Sequence, residues 1–161
     1  MRNLEIRPVL VLVAGFVALT SIACGLGLVT GVIEFPLAFL YGTPFRDYLV
    51  PGLLMTVVVG GSAFLAAVLL LAGHASGIFM LAFAGLILLG FEVAEVMGID
   101  RNTGNMFPLV IALQAAYTVF SLIMLGGAAY LWRQTHHRQS TLGFLQDAGG
   151  ERARATAEKP G

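Results

Sequence analysis

GLLMTVVVGGSAFLAAVLLLAGHASGIFMLAFAGLILLGFEVAEVM, residues 52–97, decides the fold. It holds two apolar runs separated only by Gly73-His74-Ala75-Ser76-Gly77. A helix that crosses a bilayer needs about 20 mostly apolar residues, because the hydrocarbon core is about 30 Å thick and a helix rises about 1.5 Å per residue. Residues 52–72 reach that length without a charge, and residues 77–97 reach it with Glu92 and Glu95 as their only charges. Pro51 suits the first helical position, where its missing N–H costs nothing. So short a connection leaves room only for a tight turn, which makes the two helices antiparallel neighbours.

Outward from this hairpin the pattern repeats. Residues 9–33 follow a polar start without a charge, and residues 108–132 end on Tyr130 and Trp132, where an interfacial aromatic belt belongs. The composition agrees: of 161 residues 58% are apolar and 11% charged, against about 45 to 50% and about 25% in soluble domains. The reading is all-α, an integral membrane antiparallel four-helix bundle. Its transmembrane domain is 1–132, with helices over 9–33, 52–72, 77–97 and 108–132; the polar tail 133–161 is expected to be disordered from about Gly149. A single Cys excludes a disulfide scaffold, and nine Lys and Arg against nine Asp and Glu exclude a basic nucleic-acid binder. Ser21-Ile22-Ala23-Cys24 loosely resembles a lipoprotein cleavage site. Ser stands where Leu is usual, however, and the apolar run continues to Ile33, as in a retained helix.

Orientation follows from basic residues near the membrane, which are retained on the cytoplasmic side. Arg2, Arg7, Arg133 and Arg138 lie on the terminal side, against Arg46 and Arg101 in the two longer loops. Both termini are therefore expected in the cytoplasm, with Glu34, Asp47 and Asp100 facing outward. Small residues at alternating steps of three and four mark the expected contact faces: Thr20, Cys24, Gly27 and Gly31; Thr56, Gly60, Ala63, Ala67 and Leu70; Ala82, Gly85, Leu89 and Glu92; Gln114, Tyr117, Ser121, Leu125 and Ala128. On this pattern Gly60 and Gly31 sit at helix crossings and Leu69 faces lipid.

The same register gathers Glu34, Glu92, Glu95, Gln114 and Tyr117 in the outer half of the bundle. A charge at membrane depth is costly, so an intramembrane acid suggests function by default. Two readings stand side by side: Glu92 hydrogen-bonded to Gln114 or Tyr117 with Glu95 solvated, or the five residues lining a site for a small amphiphile. A metal centre is not expected, because Glu92-x-x-Glu95 has no His beside it and His74, His136 and His137 fall on the other side. His74 reads as a helix-end cap and Cys24 as a packing residue. In the loop before the second helix, Asp47 suits the helix's positive end. Arg46, Asp47, Tyr48 and Arg101 form either a structural lid or a gate in which Arg46 or Arg101 pairs Glu34 or Glu95.

Gly42-Thr43-Pro44-Phe45-Arg46-Asp47-Tyr48-Leu49-Val50-Pro51-Gly52, followed by Gly60-Gly61-Ser62, resembles the first outer loop and second helix of small uncharacterised bacterial four-helix integral membrane proteins that carry G-[ST]-P-F-x-D-Y-x-x-P-G. The resemblance covers about a fifth of the chain. It implies a bacterial cytoplasmic-membrane protein of similar layout and brings no activity with it.

No phosphate loop, cofactor motif or nucleophile–base pair is legible, so no cofactor is expected and catalysis is the weaker expectation. The expected function is a non-enzymatic accessory, interaction or amphiphile-binding protein whose partners are membrane lipids, a small amphiphile or another membrane protein. The alternatives are a lipid-modifying enzyme using Glu92 or Glu95 as acid or base, and a small proton-coupled transporter. An enzyme needs the acids to converge in a pocket, a transporter needs a polar path through both halves, and a subunit needs neither.

Overall fold

The structure, a computed structural model, describes residues 3–33, 37–40, 44–99 and 108–157. Every regular element among them is helical: α1 (Asn3–Thr30), a 3-10 turn (Leu37–Leu40), α2 (Leu49–Leu71), α3 (Ser76–Ile99) and α4 (Pro108–Ala157). Four spans are long and apolar enough to cross a membrane: Ile6–Thr30, Leu49–Leu71, Ser76–Met97 and Ile111–Thr135. The chain divides into two compact units, Met1–Ala128 and Ala129–Gly161. The first holds α1, α2, α3 and the start of α4; the second is the remainder of α4.

Local chemistry sets the helix ends. α1 stops at Thr30 because Gly31 takes φ +73°, a left-handed conformation that glycine adopts without a Cβ penalty. The chain then turns back: Ile33 N–H donates to the Gly27 carbonyl (3.0 Å), and the Ile33 side chain lies where a Cβ on Gly27 would be (2.5 Å). α2 begins two residues ahead of Pro51, with the Leu49 N–H donating to Asp47 Oδ1 (3.1 Å) as the acidic residue at its positive end. It ends at Gly73, φ +82°, where His74 N–H reaches the Leu69 carbonyl (3.0 Å) and Gly77 N–H the His74 carbonyl (3.1 Å). His74 thus does close a helix end, through its backbone. α4 does not stop near Trp132. No proline occurs between Pro108 and Pro160, and the expected polar tail is carried as helix as far as Ala157.

α1 and α2 cross at two glycines. A Cβ on Gly25 would lie 2.6 Å from the Gly52 carbonyl, and a Cβ on Gly52 would lie 2.9 Å from the Gly25 carbonyl. One turn on, the Thr56 hydroxyl donates to the Gly52 carbonyl (2.8 Å) and also fills the space beside Gly25. Further along, Gly60 lies against Ile22 and the Ala18 carbonyl. Gly52, Thr56 and Gly60 are thus separated by successive steps of four. At 3.6 residues per turn each such step rotates a face by about 40°, and an underwound helix removes the drift. α2 is underwound at this place: Leu54–Gly60 is π-helical, and Gly61 N–H bonds the Thr56 carbonyl.

Beyond the π segment, α2 is buried on Ser62, Ala63, Ala66, Ala67 and Leu70, between α1 and α3. α3 contributes Leu81, Ala84, Gly85 and Leu88. The fourth span is 17% buried against 33 to 39% for the other three, so α4 is the least enclosed helix. It reaches the core through Ser121, Met124 and Ala128. Met124 and Leu125 fill the space beside Gly85, and the Leu10 side chain fills that beside Gly127. Large apolar side chains face outward, with Leu12, Leu19 and Leu71 each at least 70% exposed.

Four contact expectations change. Gly31 is exposed, with open space where its Cβ would be; it is a turn residue and not a crossing. The most deeply buried face of α1 is Leu10, Ala14, Val17, Ala18, Ser21 and Gly25, one position away from Thr20 and Cys24. Gly27 is buried by Ile33 from its own helix end. Leu69 is half-buried because Gly77 packs on its backbone, so Leu71 is the better outward position. On α2 the expected Gly60, Ala63, Ala67 and Leu70 are all buried.

These contacts separate two glycine substitutions. Gly52→Ala places a Cβ against backbone that cannot move away and is expected to cost about 1–3 kcal/mol, as overpacking does. Gly61→Ala meets nothing within 4 Å and is expected to be neutral or to gain up to about 1 kcal/mol in helix propensity. Thermal unfolding of the detergent-solubilised protein measures both, and equal melting temperatures would remove the crossing argument.

Candidate functional site

Polar side chains collect where α1, α3 and α4 approach. Glu92 and Glu95 lie near the end of the α3 span, and Gln114 and Tyr117 lie one turn apart near the start of the α4 span. Thr20 and Cys24 lie one turn apart on the flank of α1 beside the face it gives to α2. The Thr20 hydroxyl donates to the Phe16 carbonyl (2.8 Å), which leaves its oxygen to accept from the Tyr117 hydroxyl. That bond ties α1 to α4. Tyr117 also lies within electrostatic reach of Cys24, Glu92 and Glu95, so three helices meet at one phenol.

An aromatic layer lies beneath this group. Phe120 meets Phe16 edge-on at 5.4 Å and Tyr117 at 6.3 Å, favourable geometries for aromatic pairs. Next on α4 comes Ser121, fully buried, its hydroxyl donating to the Thr118 carbonyl (2.7 Å). Farther from the acids the core is Leu10, Ala14, Leu81 and Ala128, which carry no polar side-chain atom.

The hydrogen bonding of the site is incomplete. Glu92 is 6% exposed, and its Oε2 is buried without a partner. Gln114 Nε2 is likewise buried and unpartnered, so this donor and this acceptor do not satisfy one another. Of the two partners expected for Glu92, Gln114 or Tyr117, the Gln114 amide N–H is thus not one. Ser21 on α1 is a third such group, wholly buried with an unpartnered hydroxyl. A buried polar atom left without a bond costs about 1–3 kcal/mol. Two such atoms, one an acceptor and one a donor, are what a polar headgroup could satisfy.

Glu34 and Arg101 lie outside the described residues, so the ring of five and the expected Arg–Glu pairing are described only in part. Glu95 is half-buried. Among the gate residues Arg46 and Asp47 are exposed, and Asp47 spends an oxygen on the α2 N-terminus. Tyr48 is half-buried, and burial pushes its phenol above the usual tyrosine range. Among the described residues no group of three His, Cys, Asp or Glu is placed to hold a metal ion.

Two residues of α1 take a part in this group that their sequence context does not reveal. Thr20 reads as a packing residue, yet it is the hydrogen-bond partner of Tyr117. Cys24 reads as a packing residue, and it also lies within electrostatic reach of that phenol. The signal for both was their four-residue spacing, which puts them on one face of α1. No protein-family model matches the chain, and neither a curated protein nor a solved structure does.

Proposed function

We propose that the chain is a non-enzymatic multi-pass protein of the bacterial cytoplasmic membrane that binds a small amphiphile in the outer half of an antiparallel four-helix bundle, with both termini in the cytoplasm. One observation carries the binding reading: Glu92 is 94% buried and presents an unpartnered oxygen where α1, α3 and α4 meet. Ligand sites are mostly apolar with a few placed polar groups, and here Phe120 packs edge-on against both Phe16 and Tyr117. The opposite sequence order of the contacts Leu10–Gly127, Phe16–Phe120 and Thr20–Tyr117 supports antiparallel packing of α1 and α4. The apolar core around Leu10, Leu81 and Ala128 speaks for a binder that opens to one side, since a transporter needs a polar path through both halves. The small enclosed share of α4 makes it the helix an entering chain can pass most easily.

Topology has a direct test. In a Cys24→Ala background, Asp100→Cys is expected to react with an impermeant thiol reagent only from outside the cell and Gln139→Cys only after the cytoplasmic face is opened. Reaction of both from one face overturns the four-crossing arrangement.

Binding has another. A dodecyl chain carrying a diazirine is expected to label peptides containing Glu92 and Tyr117, and excess unmodified dodecyl amphiphile is expected to suppress the label. Labelling confined to outward residues such as Leu71 and Leu122, without competition, would falsify the site. Glu92→Gln keeps the size of the side chain. It is expected to melt within a few degrees of the parent while losing most of the competed label, because a buried hydrogen bond to a charged group is worth about 1.5–3 kcal/mol.

A further inference from the structure

We infer that the headgroup taken by this site is a primary ammonium, carried on an apolar chain. The inference rests on the amphiphile-binding reading above and names its ligand class. Among the described residues the site carries no positive charge; Arg101, between α3 and α4 in the sequence, lies outside them. Glu92 and Glu95 stand one turn apart on α3. Tyr117 of α4, which lies within electrostatic reach of both, has Thr20 and Cys24 of α1 as its other polar neighbours, and none of these is cationic. Arg7, at the opposite end of the α1 span, is about four to five turns from Cys24. Arg46 is exposed in the loop, and His74 is exposed in the turn between α2 and α3. A buried carboxyl is stabilised by a cation that also donates a hydrogen bond, and Oε2 of Glu92 is the open acceptor.

The chemistry narrows further on charge and donors. An alcohol offers a donor without charge. A trimethylammonium offers charge without an N–H. A primary ammonium offers three donors in a compact group: one for Glu92 Oε2, one for Glu95, and one directed at the Tyr117 oxygen or face. Its alkyl chain would lie along Phe120 and Phe16. Gln114 Nε2 remains for a headgroup oxygen where the ligand has one.

Cys24, the sole cysteine of the chain, supplies a native reporter because it lies within electrostatic reach of Tyr117 and one turn from Thr20. The experiment measures alkylation of Cys24 by N-ethylmaleimide in the full-length detergent-solubilised protein, with dodecylammonium, dodecanol, dodecyltrimethylammonium or dodecyl sulfate added at equal mole fraction in the micelles. Dodecylammonium is expected to slow alkylation about tenfold or more relative to dodecanol, the factor a charge-assisted hydrogen bond contributes. Glu92→Gln is expected to abolish that difference while leaving the unliganded alkylation rate within about twofold of the parent, which also shows that the variant is folded around Cys24. A further arm compares phosphatidylethanolamine with phosphatidylcholine in the micelles. Protection by the former as well as by dodecylammonium assigns a lipid headgroup, and protection by dodecylammonium alone assigns a single-chain amine; either result supports the inference. Equal protection by ammonium and alcohol overturns the inference and keeps amphiphile binding, as does stronger protection by trimethylammonium. No protection by any of the four overturns both.

Discussion

The reciprocal contact of Gly25 and Gly52 is the constraint on which the arrangement depends. Each carbonyl occupies the place where the other residue's Cβ would be, so the two backbones touch as closely as sterics permit. In lipid, helices gain little from hiding apolar surface, and close packing is the main attraction left. Thr56 and Gly60 extend the same crossing along α2, and Ala63, Ala67 and Leu70 carry the burial toward the turn at Gly73. Because α1 spends its glycine face on α2, the flank bearing Thr20 and Cys24 is what remains for α4. That flank meets Tyr117 and Phe120, which are large, and α4 engages the other helices through side chains of this size.

The polar site is a product of that division. Small residues bring α1 and α2 together without voids, whereas rings and long side chains define the approach of α4. Polar atoms placed among rings are hard to satisfy completely, and Glu92 Oε2 and Gln114 Nε2 are left over. In a medium of low dielectric such atoms are expensive, and any headgroup that bonds them recovers more free energy than the same bond would yield in water. On the proposed reading, a bound headgroup would satisfy both atoms.

The four spans were legible because membrane thickness imposes a length, and a length can be counted in residues 52–72 and 77–97. The contact face of α2 was legible because Gly60, Ala63 and Ala67 repeat the two spacings of a helix seam. α1 was harder. Glycines at 25, 27 and 31 allow two faces, and only the position of Gly52 on the other helix selects Gly25. Gly27 makes room for Ile33, which folds back after Gly31, and a fold-back of this kind leaves no periodic trace. At the site, depth alone pointed to Glu92, Glu95, Gln114 and Tyr117. The tie from Tyr117 to Thr20 is a meeting of two helices and is invisible in either one. Gln114 Nε2 and Glu92 Oε2 are both left without a partner, because sharing an end of the molecule does not bring a donor within about 3 Å of an acceptor.

The π segment of α2 has a consequence for chain length. A π turn holds one residue more than an α turn, so Leu54–Gly60 acts as an insertion that the helix has absorbed without breaking. Its presence lets the part before it aim Gly52 at Gly25 while the part after it aims Ala63 and Ala67 into the core. The two parts of α2 are phased separately. Loss of one residue from Leu54–Val58 would let this stretch rewind to ordinary α-helix, and everything from Gly61 to the turn at Gly73 could keep its partners. Relatives that differ from this chain by a single residue in the second span are therefore compatible with the same packing below that point, whereas a one-residue change after Gly61 rotates Ala63, Ala67 and Leu70 out of the core together.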